Sequence, residues 1–355
     1  MAVIRSVANS SGNGEGPVGV SVLTPILNEE AHILETIRCL QSQRIDQDVE
    51  FLFMDGRSED ATRSVLERQA ADDPRIRILD NPERGIPFAL NIGLENARGE
   101  FVARMDAHTV YPPDYLARGV ERLRRGDVEW VSGPQLPRGT GKWSRRIALA
   151  LGTRLGIGGA AFRSARHELE VDAGYTGIWR RETLLRHRGW DQGWPINEDG
   201  ELAARIREAG GRIVCIPEMA ALYVPRDGLG ALARQYWRYG NYRAKTCGAH
   251  PESMRRSHLL PPALAIALPL AFVPRSRVGG LARAGVGAYA MALLATAISR
   301  LGAGIRDACS LPAILATMHL SWGFGFLVGS GRFGPPLRAI LLLARGRSRE
   351  PSGAA

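Results

Sequence analysis

From Val18 to about Cys215, short apolar runs alternate with stretches whose apolar residues recur at helical spacing. Residues 18–23 read as a strand. Asn28 is then placed to cap a helix carrying Ile33, Ile37 and Leu40 on one face. Residues 50–54 form a continuous apolar strand ending at Asp55, and Ser58 is placed to cap the next helix, which holds Val65 and Leu66. A third strand spans residues 76–79, a helix residues 89–97, and a fourth strand residues 101–105. This alternation predicts an α/β domain, with a mostly parallel sheet covered on both faces. Nothing repeats at a fixed period.

After His258 the pattern changes. Residues 259–273 are apolar but hold Pro261, Pro262 and Pro269; residues 286–298 are apolar but short; residues 311–328 come nearest to the ~20 apolar residues that span a bilayer. Pro and Gly are tolerated in transmembrane helices, and a soluble helical subdomain would carry more charge outside, so the preferred reading is membrane embedding. Arg residues flank every segment, so charge does not fix the topology. Between Gly139 and Arg166 the composition shifts to Gly and Arg, which reads either as a surface loop or as a lid over a phosphate-bearing ligand. The expected organisation is a polar, disordered tail over residues 1–17, a catalytic domain over 18–250, an apolar helical membrane region over 258–330 and a basic tail over 331–355.

Charge and cysteines narrow the field. A formal net charge of +10 on 355 residues could meet nucleic acid, anionic lipid or phosphorylated substrates. Without zinc-finger spacing, an aromatic basic helix of the nucleic-acid type or an RNP-like strand, no nucleic acid is expected as partner. Cys39, Cys215, Cys247 and Cys309 are scattered and read as reduced thiols.

The candidate chemistry sits after the strands. Thr24-Pro25 and Asn28-Glu29 follow the first strand, where a helix N-terminus can receive a phosphate or a base. Asp55, freed by Gly56, can accept hydrogen bonds from a nucleobase or ribose, or simply cap its own turn. Met105-Asp106-Ala107-His108 leaves the carboxyl end of the fourth strand, where open α/β sheets present ligand-binding groups. One carboxylate and one imidazole two residues apart can face the same ion. Their mix suits Mn²⁺, whereas Mg²⁺ prefers oxygen alone. Asn197-Glu198-Asp199 opens a helix running to Ala209, and Gln235-Tyr236-Trp237-Arg238-Tyr239 lies in an aromatic, basic helix.

Together and in this order, these segments resemble family 2 glycosyltransferases of the GT-A fold, from about Val18 to Lys245. Asp55-Gly-x-Ser58-x-Asp60-x-Thr62 matches the family's nucleotide-binding element, and Gly85 to Glu100 matches the segment before its metal motif. Asp106-Ala-His108 replaces the usual Asp-x-Asp and resembles the Asp-x-His of polypeptide N-acetylgalactosaminyltransferases. Glu198-Asp199 matches the family's Glu-Asp pair. Gln235-x-x-Arg238-Tyr239 is close to the Gln-x-x-Arg-Trp of synthase-like members, with Tyr for Trp, which argues against a processive polymerase. With Tyr111-Pro-Pro-Asp114 behind it, the Asp-Ala-His variant looks most like the ExoA-type branch, bacterial membrane-associated glucosyltransferases of exopolysaccharide assembly such as succinoglycan.

The resemblance implies an inverting, metal-dependent hexosyl transfer, of glucose above other hexoses, from a UDP-sugar to a lipid-linked saccharide at the cytoplasmic face of the membrane. It implies Asp199 as catalytic base and Asp106 with His108 as ligands of a divalent metal, Mn²⁺ favoured over Mg²⁺. Pro25, Glu29, Asp55 and Asp106 are implied on the nucleotide side, with Glu198, Gln235, Arg238 and Trp194 on the diphosphate and acceptor side. Trp194, Tyr175 and Trp237 are candidate stacking surfaces; Asp60 and Thr62 serve turn and helix structure. Two other readings stand beside this one: a polyprenyl phosphate as acceptor, which needs no strong base, and a membrane-anchored scaffold with a relic nucleotide pocket.

Overall fold

In a computed structural model, the protein is described over residues 18–158, 163 and 165–346. The N-terminal tail, residues 159–162 and 164 of the Gly-rich segment, and residues 347–355 of the C-terminal tail lie outside the described residues.

The apolar runs become β1 (Val20–Ile26), β2 (Val49–Asp55), β3 (Ile76–Asp80) and β4 (Phe101–Arg104), linked by helices α1 (Ile33–Gln41), α2 (Thr62–Asp72) and α3 (Ile86–Asn96). Next come β5 (Thr109–Val110), α4 (Tyr115–Arg124), β6 (Trp130–Ser132) and β7 (Gln135–Pro137). Helices α5 (Lys142–Leu151) and α6 (Arg154–Ile157) precede β8 (Leu169–Glu170), β9 (Gly177–Arg180), α7 (Arg181–Arg186) and α8 (Glu198–Glu208). Strands β10 (Ile213–Cys215) and β11 (Ala221–Tyr223) end the α/β part. The main sheet has eight strands in the order β3-β2-β1-β4-β9-β6-β10-β8, and β5-β11-β7 form a second sheet of three. β1 pairs in parallel with β2 and β4, while β9 enters antiparallel between β4 and β6.

Val20, Val22 and Leu23 of β1 are fully buried, as are Leu52, Phe53 and Met54 of β2. Removing each such side chain from water stabilises the fold by about 1.5–3 kcal/mol. Beneath them Glu50, 2% exposed, is the polar anchor. It accepts from Ser21 Oγ at 2.6 Å, Arg98 N at 2.7 Å, Arg77 Nη1 at 2.7 Å and Arg98 Nε at 3.0 Å. These bonds tie β1, β2, β3 and the turn before β4 together. They hold Glu50 below the usual carboxylate range even though burial pulls the other way.

Two expected caps are corrected. Asn28 is not an N-cap: α1 begins at Ile33, and Asn28 sits in the left-handed region with φ 55°, its Oδ1 accepting from Glu59 N at 2.8 Å. Ser58 does not cap α2, which begins at Thr62; it donates to Asp55 and accepts from Asn28 N at 2.9 Å. The loops after β1 and β2 thus lace to each other rather than each capping its own helix. The Gly- and Arg-rich segment is largely helical over residues 142–157, in α5 and α6. Its α5 buries Ile147, Ala150 and Leu151 against Leu311, Ile314, Leu315 and Met318.

The last third is helical: α9 (Leu229–Ala249), α10 (Leu260–Leu270), α11 (Arg277–Ile298), α12 (Ile305–Phe333) and α13 (Leu337–Ala344). Helices α11 and α12 are long and apolar enough to cross a membrane. Large apolar side chains face outward here: Phe272 is 82% exposed, Leu281 78% and Met291 67%. Helix α12 lies along α9 at backbone contact, because Gly325 and Gly329 leave room. A Cβ on Gly325 would meet the Trp237 carbonyl oxygen at 2.2 Å, and one on Gly329 the Asn241 carbonyl oxygen at 2.4 Å. Small residues four apart are what let helix backbones approach this closely.

Candidate active site

The parallel strands put their carboxyl ends on one edge. In the register Ile26 stands opposite Asp55, and Leu23 opposite Arg104. Because β9 runs antiparallel, its first residue, Gly177, pairs with Arg104, which brings Tyr175 to the same edge.

The centre of this edge is Arg104, whose side chain is only 3% exposed. Its Nε and Nη2 donate to the two oxygens of Asp106 at 2.7 and 3.1 Å. Its Nη1 donates at 2.9 Å to both Glu198 Oε1 and Asp199 Oδ2. One guanidinium therefore gathers Asp106, from the end of β4, and the acidic pair from the first turn of α8. Tyr175 donates its hydroxyl to Asp106 Oδ2 at 2.8 Å, and the Asp106 backbone N–H donates to the Tyr111 oxygen at 2.7 Å. Trp190 Nε1 donates to the other Asp199 oxygen at 3.2 Å, at the end of a row of indoles, Trp130, Trp179 and Trp190.

Burial works against every charge here, and the arrangement decides which charges survive. Burial would lower Arg104, yet Asp106, Asp199 and Glu198 together hold its guanidinium firmly protonated. Burial would raise Asp106, but Arg104 keeps it below the usual carboxylate range. Glu198 is pushed up to about 7 by burial and the neighbouring Asp199 charge. Asp199 is raised too, by burial above all, with Arg104 opposing. Tyr111 is buried and Tyr175 half-buried, and desolvation with the nearby Asp106 charge keeps both phenols protonated far into alkali.

His108 stands beside this group, with φ 50° and a side chain 46% exposed. Its Nδ1 lies 3.2 and 3.3 Å from the two oxygens of Glu29. The Glu29 hydrogen bond is the main reason its pKa is raised. Among the described residues there is no group of three or more His, Cys, Asp and Glu side chains able to hold a metal. The donor chemistry of Asp106 and His108 fits a divalent ion only if ligand oxygens complete the shell. Asp55 is engaged by its own turn: its Oδ1 accepts from Ser58 N at 3.1 Å and Ser58 Oγ at 2.7 Å, while Arg63 stands 3.6 Å from Oδ2. Pro25 lies in β1, one residue before the Ile26–Asp55 pair.

Helix α9 approaches the acidic pair through Tyr239. Gln235 Nε2 donates to the Tyr239 oxygen at 2.9 Å, and Arg238 is exposed beside them. Tyr239 lies close enough to Glu198 to feel its charge, and Arg226 acts electrostatically on both Tyr239 and His108. Trp194 is drawn onto α9: its Nε1 donates to Thr246 Oγ1 at 2.9 Å, and Lys245 Nζ lies 3.7 Å above its ring centre. That ammonium occupies a ring face on which a sugar could have stacked. Trp237, 40% exposed, lies where α9 meets α12. The structure thus brings Asp106, Glu198 and Asp199 into one cluster, with His108 and Glu29 beside it. Asp55 is held in the lacing of the β1 and β2 loops, and Trp194 is bonded to Thr246 of α9, the hydroxyl it shares with Asn197.

Sequence reasoning passed over Arg104, Trp190 and Arg226. Only Arg104 left a signal: a charged residue inside the apolar run Phe-Val-Ala-Arg-Met.

The comparisons with known proteins agree with this architecture. The model of the family "Glycosyl transferase family 2" matches residues 21–188. The chain is 32% identical over 310 residues to the succinoglycan biosynthesis protein ExoA of Rhizobium meliloti (strain 1021), covering 86% of this chain and 93% of that protein. It is 30% identical over 111 residues to the undecaprenyl-phosphate 4-deoxy-4-formamido-L-arabinose transferase of Pseudomonas fluorescens (strain Pf0-1), covering 30% of this chain and 33% of that one. Among solved structures, the mannosyltransferase PcManGT from Pyrobaculum calidifontis, in complex with GDP-Man and Mn²⁺, aligns with a TM-score of 0.60 at 24% identity. It covers 87% of this chain and 86% of that one, which supports the GT-A fold. With Asp55, Asp106 and Tyr175 inside the family match, and a relative aligned over nearly its whole length, the chain belongs to glycosyl transferase family 2 and is a glycosyltransferase.

Proposed function

We propose that this glycosyltransferase moves a hexose, glucose first among the candidates, from a UDP-sugar to a lipid-linked saccharide in surface-polysaccharide assembly. The observation that carries the reading is the gathering of Asp106, Glu198 and Asp199 around Arg104 at the carboxyl edge of the sheet.

The reaction is an in-line displacement. The acceptor hydroxyl oxygen bonds to the anomeric carbon, the bond from that carbon to the diphosphate breaks, and the hydroxyl proton goes to a base. Asp199 is that base. Burial raises its pKa, which makes it a stronger proton acceptor, while Arg104 and Trp190 favour its charged form and Trp190 fixes one of its oxygens. Glu198 shares the Arg104 charge and orients the same turn. Asp55 and Pro25 receive the nucleoside, with Glu29 next to His108. Gln235 and Arg238 face the departing diphosphate or the acceptor from α9. Asp106 and His108 would hold a divalent ion, Mn²⁺ before Mg²⁺, which when bound supplies Lewis-acid stabilisation of the leaving group. The outward apolar side chains of α10 to α13 support seating in the membrane, and a soluble UDP-sugar donor would put the catalytic domain on its cytoplasmic side.

The test is transfer from labelled UDP-glucose and a panel of other UDP-sugars, using membranes that contain the protein, followed by lipid extraction. A labelled lipid-linked saccharide that needs Mn²⁺ and falls about 10²–10⁴-fold in Asp199→Asn is expected. Transfer from no UDP-sugar refutes the donor class. The partial likeness to a polyprenyl-phosphate transferase favours one second reading, in which a phosphate oxygen is the nucleophile and needs no base. Asp199→Asn that still labels polyprenyl phosphate at the wild-type rate would select it.

A further inference from the structure

We propose that Arg104 is a positioning residue that takes, at Asp106, the place a divalent cation would take, and gives it up when metal and donor arrive. The inference rests on the metal-dependent reading above and concerns which group supplies the counter-charge of the acidic cluster.

Three carboxylates in one buried cluster cannot all stay charged without a counter-cation. Here the counter-cation is built into the chain. Arg104 donates to both oxygens of Asp106 and, through Nη1, to Glu198 and Asp199. Tyr175 also donates to Asp106 Oδ2, so the fork and the phenol together cover both oxygens. A divalent cation at Asp106 would therefore meet an oxygen pair already engaged by a positive group, and the two cations exclude each other there. Nη1 already lies on Glu198 and Asp199. Release of Asp106 alone would leave Arg104 as counter-ion of the acidic pair, with no large movement. His108, 46% exposed and off the Arg104 network, is the ligand reachable without that exchange. A guanidinium suits the role because its fork bridges separate carboxylates; an ammonium is a point charge and cannot span them.

The experiment uses the full-length protein in detergent. Mn²⁺ affinity is measured by the loss of the free-ion paramagnetic resonance signal with UDP present, and melting is measured in EDTA and in Mn²⁺. Wild type, Arg104→Met and Arg104→Lys are compared. Exchange predicts that Arg104→Met binds Mn²⁺ at least tenfold more tightly than wild type. It also predicts that this variant melts lower in EDTA and recovers in Mn²⁺. Arg104→Lys keeps a charge for folding but loses the fork, and should gain Mn²⁺ affinity several-fold. A folded Arg104→Lys with wild-type Mn²⁺ affinity and metal-independent melting overturns the inference alone. A wild type that binds no Mn²⁺ with UDP overturns the metal reading itself, and the inference with it.

Discussion

The contact between α9 and α12 makes a quantitative prediction, because one helix holds its own control. In Gly325→Ala the new Cβ would stand 2.2 Å from the Trp237 carbonyl oxygen, where ordinary contact begins at 3.4 Å. The helices must therefore part by about 3.4 − 2.2 = 1.2 Å, since the neighbour is backbone and cannot rotate away. Overpacking of this kind costs about 1–3 kcal/mol. Against it runs the helix propensity of Ala over Gly, about 1 kcal/mol. Gly331, on the same helix, would meet nothing within 4 Å. Gly331→Ala thus gains the propensity without the clash, and the difference between the two variants isolates the interface at about 1–3 kcal/mol. The assay is thermal unfolding in detergent, with Gly325→Ala melting below wild type and Gly331→Ala at or above it. Transfer activity is the second readout. Parting the helices shifts Gln235 and Tyr239 relative to Glu198, and a misplacement of about 1 Å can cost roughly 10²-fold in rate. Equal melting and equal activity in the two variants would refute the claim that α12 sets the position of α9.

Two further predictions concern buried charge. Glu50→Gln keeps the shape but loses the charge-assisted bonds from Arg77 and Arg98, so unfolding in denaturant should reveal a loss of about 1.5–3 kcal/mol at neutral pH. Because the folded pKa of Glu50 is depressed, its contribution is present above the unfolded value near 4.3 and fades as pH falls through the folded one. Wild type and variant should therefore converge in acid. His250 behaves in the opposite sense. Its Nε2 stands 3.5 Å from Glu201, and its Nδ1 3.0 Å from Glu208. The Glu201 hydrogen bond above all raises its pKa. Its contribution is then full below the unfolded value near 6.5 and lost as pH rises through the folded one. His250→Gln should melt below wild type at pH 6, with the gap closing by pH 9.

How much of this was legible in the sequence depends on whether the determinant was local. Strands β1, β2 and β4 were readable because each is a largely apolar run buried on both faces, β3 at the sheet edge because Ile76, Ile78 and Leu79 still mark it, and the candidate carboxylates follow directly from strand ends. Asn28 and Ser58 were misread because Asn28 Oδ1 answers Glu59 N and Ser58 Oγ answers Asn28 N across two loops about 30 residues apart. Local spacing cannot see such lacing. The strands of the second sheet are two or three residues long, below any period that alternation could establish. Helix α5 was hidden by its neighbours: the Gly and Arg count of the whole segment masked Ile147, Ala150 and Leu151 at helical spacing. The long helices were found but trimmed, because Arg283 and Asp307 interrupt the apolar run without interrupting the helix.

The two halves that composition separates are mechanically one. Thr246 on α9 accepts from Trp194 Nε1 at 2.9 Å and from Asn197 Nδ2 at 2.8 Å. Asn197 is the N-cap of α8, the helix whose first turn carries Glu198 and Asp199. Arg243 donates to the other side of the same Asn197 amide at 3.0 Å. The acidic turn is therefore fixed at one end by Arg104 from β4 and at the other by α9, and α9 is fixed by the glycines of α12. Trp194 belongs to this linkage through Thr246. An apolar C-terminal third that served only as an anchor would have no reason to meet α9 at backbone distance. Here one of the two helices long and apolar enough to cross a bilayer also sets where α9 lies, so the same contact fixes the position of the turn that carries Glu198 and Asp199.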